Sequence, residues 1–195
     1  MKAAKKSHRH FIIFKPYGFL SQFQSNARHE LNKKFLGSLF NFPEQTMAIG
    51  RLDEKSEGLL LLTTDGETSD YINSSKVEKE YYAQVDGIIT HEAIERLKLG
   101  VEISINGETY NTKPAKVYKL NTIPDLPKRG KKIRDDRHGP TSWVSITLNE
   151  GKFHQVRKMT SVVGFATLRL VRVRIHKILI NKMKVSDVIE VENFF

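Results

Sequence analysis

Apolar residues recur along this chain at two different spacings, and the change between them separates strands from helices. The run HFIIF at 10–14 is closed by Lys15-Pro16-Tyr17-Gly18, where proline and glycine supply turn geometry, so it reads as a strand. Leucines 59–62 are too short a run for a helix and read as a buried strand between a polar loop and an Asp65-Gly66 turn. KEYYAQVDG at 79–87 alternates apolar and polar positions, which puts Tyr81 and Tyr82 on opposite faces of a strand. SWVSITL carries Val144, Ile146 and Leu148 on one face before a turn at Asn149-Glu150-Gly151, and TLRLVRVRI is a strand in which arginines alternate with aliphatic residues. Asn106-Gly107, between VEISI and ETYNTKPAKVYKL, signals a hairpin because both residues tolerate positive φ.

Three segments show helical spacing. A short helix is expected around 30–40. From Thr90, a possible N-cap, Ala93, Ile94, Leu97 and Val101 form one apolar face that stops at Gly100. In KFHQVRKMTSVVG, Val156, Met159, Thr160 and Val163 share a face, while His154, Arg157, Lys158 and Ser161 fall toward the other. Strands and helices do not alternate as in a doubly wound parallel sheet. The expected class is therefore α+β, with a mainly antiparallel, twisted mixed sheet flanked by helices.

Composition narrows the partners. At 195 residues the chain can bury a substantial core, and residues 8–195 are expected to form one domain behind a basic, disordered tail at 1–7. The formal net charge is +10, from 32 Lys+Arg against 22 Asp+Glu, which favours polyanions such as nucleic acid without naming a task. With no cysteine, thiol nucleophiles, disulfides and cysteine-ligated zinc are excluded. The apolar run FIIF is too short for a signal peptide or a spanning helix, so no membrane association and a cytoplasmic location are expected. Residues 121–140 hold three prolines, two glycines and a dense basic cluster. They form a long loop, either functional or a solvated insertion, whose Lys128, Arg129, Lys131 and Lys132 are candidates for phosphate.

Asp53 enters a polar loop directly after Arg51-Leu52. There a carboxylate can be exposed yet held, fit for a nucleophile or base, although a lone loop aspartate is more often a cap or turn residue. No second carboxylate stands at metal-ligand spacing, so no metal is expected, and a metal-dependent nuclease is set aside. Tyr81 and Tyr82 by themselves read as core-edge residues. Arg157 either faces inward, in which case it needs a carboxylate such as Asp53, or belongs to a basic helix face that meets phosphate or water.

GRLDEKSEGLLLLTTDG at 50–66 resembles the signature of the ribosomal pseudouridine synthases of the small-subunit synthase A type. KEYYAQVDG and EGKFHQVRKMTSVVGFATLRLVRVRI resemble that family's second and third motifs, so the likeness runs from about residue 10 to about residue 175. FKPYGFLSQF, the basic loop before SWVSITL, and the lack of room for an S4-like module resemble the members that act on large-subunit ribosomal RNA. Two departures are Phe153-His154, where near relatives have Asn-Arg, and the weakly matching segment 175–195.

The resemblance implies the pseudouridine synthase fold and an isomerase that converts a uridine of ribosomal RNA, with large-subunit RNA as the expected partner and no cofactor. The protein is expected to be a monomer. The resemblance further implies Asp53, Tyr81 and Arg157 as catalytic residues. Asp53 would attack C1′ or remove the C2′ proton. Arg157 would orient it and favour its charged form, and Tyr81 would stack on the uracil and assist loss of the C5 proton. Arg51 would stand near the flipped nucleotide, and His154 and Lys158 join the four basic loop residues as RNA contacts. The alternatives are a synthase for small-subunit RNA and a catalytically silent RNA-binding assembly factor on the same fold.

Overall fold

A computed structural model describes residues 8–30, 32–74, 77–133 and 136–195. The expected tail at 1–7 lies outside them. The chain opens with β1 (His10–Lys15) and β2 (Phe19–Leu20), followed by β3 (Lys34–Phe35) and β4 (Met47–Ile49). The leucine run is β5 (Glu57–Thr63), and every one of its residues is buried. Leu60 and Leu62 enter a core with Phe11, Ile13 and Val85, whereas Leu59 and Leu61 enter a second core with Phe14, Val171 and Val173. Because side chains alternate across a strand, four consecutive leucines suit a sheet covered on both faces.

After β5 come helix α1 (Gly66–Asn73), β6 (Lys79–Asp86) and helix α2 (His91–Leu99). Burial alternates strictly along β6, so that Tyr81 lies in the first core and Tyr82 packs against the second. α2 starts where capping chemistry places it: the Thr90 hydroxyl accepts from the Ala93 N–H at 3.2 Å, and Gly100 follows the last turn at φ 94°. Strands β7 (Glu102–Ile105) and β8 (Glu108–Asn111) form the hairpin, with Ile105 opposite Glu108 and Asn106 and Gly107 at φ 51° and 87°. Those angles are what a two-residue type I′ turn requires. The chain continues through β9 (Lys116–Lys119), β10 (Thr141–Leu148), helix α3 (Gln155–Val162), β11 (Thr167–Ile175), β12 (Ile178–Leu179) and β13 (Val188–Val191).

The nine-stranded sheet runs β13-β1-β5-β11-β6-β10-β9, with β4 also on β5 and β12 on β11. Its pairs are antiparallel except β5 with β11, where Glu57 lies opposite Val171 and Gly58 opposite Arg172. β11 shifts register twice against β6, so its arginines depart from simple alternation. The α+β class and the mainly antiparallel sheet with three helices agree with the expectation.

Two local expectations differ. Residues 30–40 do not form an α-helix. The chain makes a 3-10 turn at Arg28–Glu30, the short strand β3, and a second 3-10 turn at Leu36–Ser38 in which only Leu36 is buried. Phe42 instead packs edge-on against Phe11 and Phe23 at 5.3 and 5.4 Å, and Phe40 lies 5.2 Å from Phe42. These aromatic contacts outweigh the weak helix preference of a segment containing glycine and serine. Asp65-Gly66 is also no simple turn, because Asp65 caps α1. Its carboxylate accepts from the Glu67 N–H at 3.1 Å and the Thr68 hydroxyl at 2.6 Å. In α1 only Ser69 and Ile72 are buried, so no apolar stripe announces the helix.

Candidate active site

The loop between β4 and β5 reverses at Gly50 (φ 68°) and then sinks Leu52 into the core. The Ser21 hydroxyl clamps both backbone groups of Leu52, accepting from its N–H at 2.9 Å and donating to its carbonyl at 2.7 Å. Asp53 therefore leaves a pinned residue. Its carbonyl accepts from the Ser56 N–H at 3.0 Å, and the Ser56 hydroxyl donates to its carboxylate at 3.3 Å. The Gly18 N–H donates to Glu54 O at 2.8 Å, which ties the Lys-Pro-Tyr-Gly turn to the same loop.

Helix α3 brings the opposing charge. Arg157 Nε lies 3.7 Å from Asp53 Oδ2, while its guanidinium donates to Lys55 O at 2.9 Å, Ser56 Oγ at 3.2 Å and Thr167 O at 3.3 Å. Arg157 thus faces inward, toward the carboxylate expected for it. Burial pulls its pKa down and the Asp53 charge opposes that pull. His154 stands at the N-cap of α3 in the left-handed region (φ 52°), and its Nε2 comes within 3.3 Å of Asp53 Oδ1. Expected among the RNA contacts, it also neighbours the carboxylate.

Asp53, Tyr81, Arg51, Leu148, Glu150 and His154 line one small hollow. Tyr81 is nearly buried in its wall, whereas Arg51 is exposed. Lys158 is half-buried, with its ammonium donating to Ser104 O at 2.6 Å.

The basic loop divides. Lys128, Lys131 and Lys132 are exposed, but Arg129 turns inward. Its Nε lies 3.3 Å from Glu57 Oε2, and its guanidinium stacks 4.2 Å over the Tyr17 ring. Arg169 meets the same carboxylate at 3.1 Å and also donates to Pro127 O at 2.7 Å. Glu57, 1% exposed, thus fastens the loop beside the site through Arg129, expected among the phosphate contacts and here paired with a buried carboxylate.

Two further residues escaped sequence reasoning. Glu150 is buried and accepts from the Tyr110 hydroxyl at 2.6 Å, the Lys113 N–H at 3.0 Å and the Gln155 side-chain amide. It joins the β7–β8 hairpin to the start of α3. The glutamate and glutamine that bracket Gly-Lys-Phe-His were the available signal. Lys15 is fully buried, donates to Pro16 O at 3.0 Å and Phe19 O at 2.8 Å, and is pushed by burial down to about 7 against the attraction of Asp53 and Glu57. No pattern of apolar positions reveals a buried lysine that closes a turn.

Among the described residues no group of three or more histidines, aspartates or glutamates is placed to hold a metal ion, and no helix is long and apolar enough to cross a membrane. The arrangement offers a partly exposed carboxylate, oriented by an arginine, a histidine and a hydroxyl, beside an aromatic wall. It is suited to acid–base or nucleophilic chemistry on a flat, polar substrate.

Comparison with known proteins identifies the family. The sequence profile described as RNA pseudouridylate synthase matches residues 9–162. Ribosomal large subunit pseudouridine synthase E of Xanthomonas axonopodis pv. citri (strain 306) is 40% identical over 166 residues, covering 84% of this chain and 84% of its own. Ribosomal large subunit pseudouridine synthase B of Bacillus subtilis (strain 168) is 31% identical over 175 residues, which is 88% of this chain and 63% of its own. A solved pseudouridylate synthase superposes with a TM-score of 0.72 at 25% identity, over 94% of this chain and 70% of that one. With the profile spanning most of the chain and the fold matching as well, the protein belongs to the RNA pseudouridylate synthase family and is an isomerase.

Proposed function

We propose that this enzyme converts a uridine of large-subunit ribosomal RNA to pseudouridine, with Asp53 as the carboxylate that acts on the sugar. The observation that carries the assignment of Asp53 is its position between Arg157 and His154 in the hollow walled by Tyr81. The reaction breaks the bond from N1 to C1′, turns the uracil, joins C5 to C1′, and moves the C5 proton off the ring while N1 gains one. It is redox-neutral and needs no cofactor.

Asp53 serves this sequence by attacking C1′ or by taking the C2′ proton, and both routes require it to face the ribose. Arg157 and the Ser56 hydroxyl hold one of its oxygens, and His154 approaches the other. The target base must first leave its stack, at a cost of a few kcal/mol. Tyr81 then offers a ring face to the uracil, and Arg51 on the exposed rim meets the phosphate or fills the vacated space. The large-subunit target is supported by what the relatives of 40% and 31% identity are named for.

Tritium release from RNA labelled at uracil C5 tests the target. Release is expected from large-subunit transcripts and not from small-subunit ones. Release from the small-subunit transcript alone would keep the enzyme and move its substrate. No release from either, or from immature ribosomal particles, would favour a silent assembly factor.

A second expected outcome concerns the basic loop. Neutralising Lys128, Lys131 and Lys132 together should weaken RNA binding and flatten its salt dependence by about two to three in the log–log slope, since each phosphate contact releases counterions. Filter binding between 50 and 200 mM salt measures it, and an unchanged slope would make these lysines a solvated edge.

A further inference from the structure

We propose that Phe153, stacked on His154 at the rim of the hollow, seats a base of the substrate RNA that neighbours the flipped uridine. The inference rests on the uridine-isomerising function proposed above, and it assigns a nucleotide subsite to a residue with no place in the chemistry. Phe153 is 58% exposed, although it lies immediately beside the core of α3. Its ring is parallel to that of His154, with centroids 3.9 Å apart and an interplanar angle of 18°.

His154 is itself held twice. Its backbone sits in the left-handed region at φ 52°, a conformation that costs a non-glycine residue energy and concentrates at functional sites, and its Nε2 lies 3.3 Å from the Asp53 carboxylate. The pair is therefore a fixed aromatic shelf whose inner ring faces the reacting carboxylate and whose outer ring reaches the surface.

Charge around the shelf identifies the occupant. Lys158 Nζ lies 5.1 Å from the Phe153 ring centroid, and Lys152 Nζ lies 4.7 Å from that of Tyr110 on the adjoining hairpin. An exposed aromatic ring with one ammonium group against it, and a second on a neighbouring ring, matches a nucleotide, which brings a π-surface and a phosphate together. An apolar protein partner would gain nothing from the two lysines. Flipping one base also strips its neighbour of a stacking partner, and an exposed ring stacked on a residue that lines the hollow can supply one.

Phe153→Leu and Phe153→Trp, assayed by tritium release from large-subunit transcripts, test the proposal. The leucine variant should raise KM about tenfold with kcat little changed, and tryptophan should restore KM, because stacking and not bulk is the property that matters. The salt dependence of KM should stay at the wild-type slope in both, since stacking releases no counterions. A second readout does not depend on turnover. In Asp53→Asn/Phe153→Trp, added RNA should quench the new tryptophan, whereas Asp53→Asn alone, with only the buried Trp143, should show little change. Wild-type KM in Phe153→Leu, a loss confined to kcat, or an unquenched tryptophan would each overturn the proposal. Failure of the wild-type enzyme to release tritium would instead strike at the target assignment, and the quenching would still report on the subsite.

Discussion

Asp53→Asn is expected to lower tritium release from large-subunit RNA by about a thousandfold or more while leaving RNA affinity within about twofold of wild type. The substitution keeps size and shape, so what disappears is the ability to attack C1′ or to accept a proton. The loop should keep its course, because its anchors are elsewhere. Leu52 remains clamped by Ser21, and Arg157 still donates to Lys55 O and Ser56 Oγ. The lysines proposed to bind RNA, at 128, 131 and 132, are exposed on a separate loop and keep their charge in this variant. Turnover above a tenth of wild type would remove Asp53 from the mechanism. A large loss of affinity would show instead that the carboxylate orders the RNA-binding surface.

Gly58→Ala should be the most damaging small substitution in the sheet. Gly58 has φ 103°, and a Cβ there would come 2.4 Å from Arg172 O and 2.9 Å from both Arg172 N and Val171 Cγ1. Neither strand can step aside. Gly58 is also paired with Lys15 of β1, and Arg172 with Tyr81 of β6. The Arg172 side chain is buried as well, with its Nε donating to Leu59 O at 2.7 Å. Backbone strain and overpacking together should cost roughly 4 kcal/mol, or about 10 °C in Tm for a chain of this size. Gly66→Ala at the start of α1, where nothing lies within 4 Å of the added methyl, is the control and should leave Tm nearly unchanged. Equal melting temperatures for the two variants would contradict the close approach of β5 and β11.

The features that sequence disclosed are those with a local cause. The alternation in β6, the Thr90 cap and Gly100 stop of α2, the Asn106-Gly107 turn and the apolar face of α3 each depend on residues a few positions apart. Asp53 stood out through its place in a polar loop and through the motif around it, and the arginine expected to face it does so. What stayed hidden is settled by distant partners. Arg129 reads as one more cation in a basic run, because only the buried Glu57 across the fold turns it inward. Glu57, Glu150 and Lys15 look like surface charges until their partners are known. Helix α1 carries too few apolar residues to be seen, and the phenylalanines near 40 belong to an aromatic cluster whose other members lie at 11 and 23.

The parallel pairing of β5 with β11 also bears on how the protein comes to be made. The strand that follows the catalytic loop lies between β1, among the earliest segments synthesised, and β11, which follows α3. Arg157 and the carbonyl of Lys55 that it grips are 102 positions apart. On a growing chain β5 can pair with β1 along its length and with β4 at Leu61–Thr63, but Glu57 and Gly58 wait for Val171 and Arg172 to reach them. Such non-local contacts make for slow folding. The hollow is accordingly expected to close late, since Asp53 meets Arg157 only once α3 has been made.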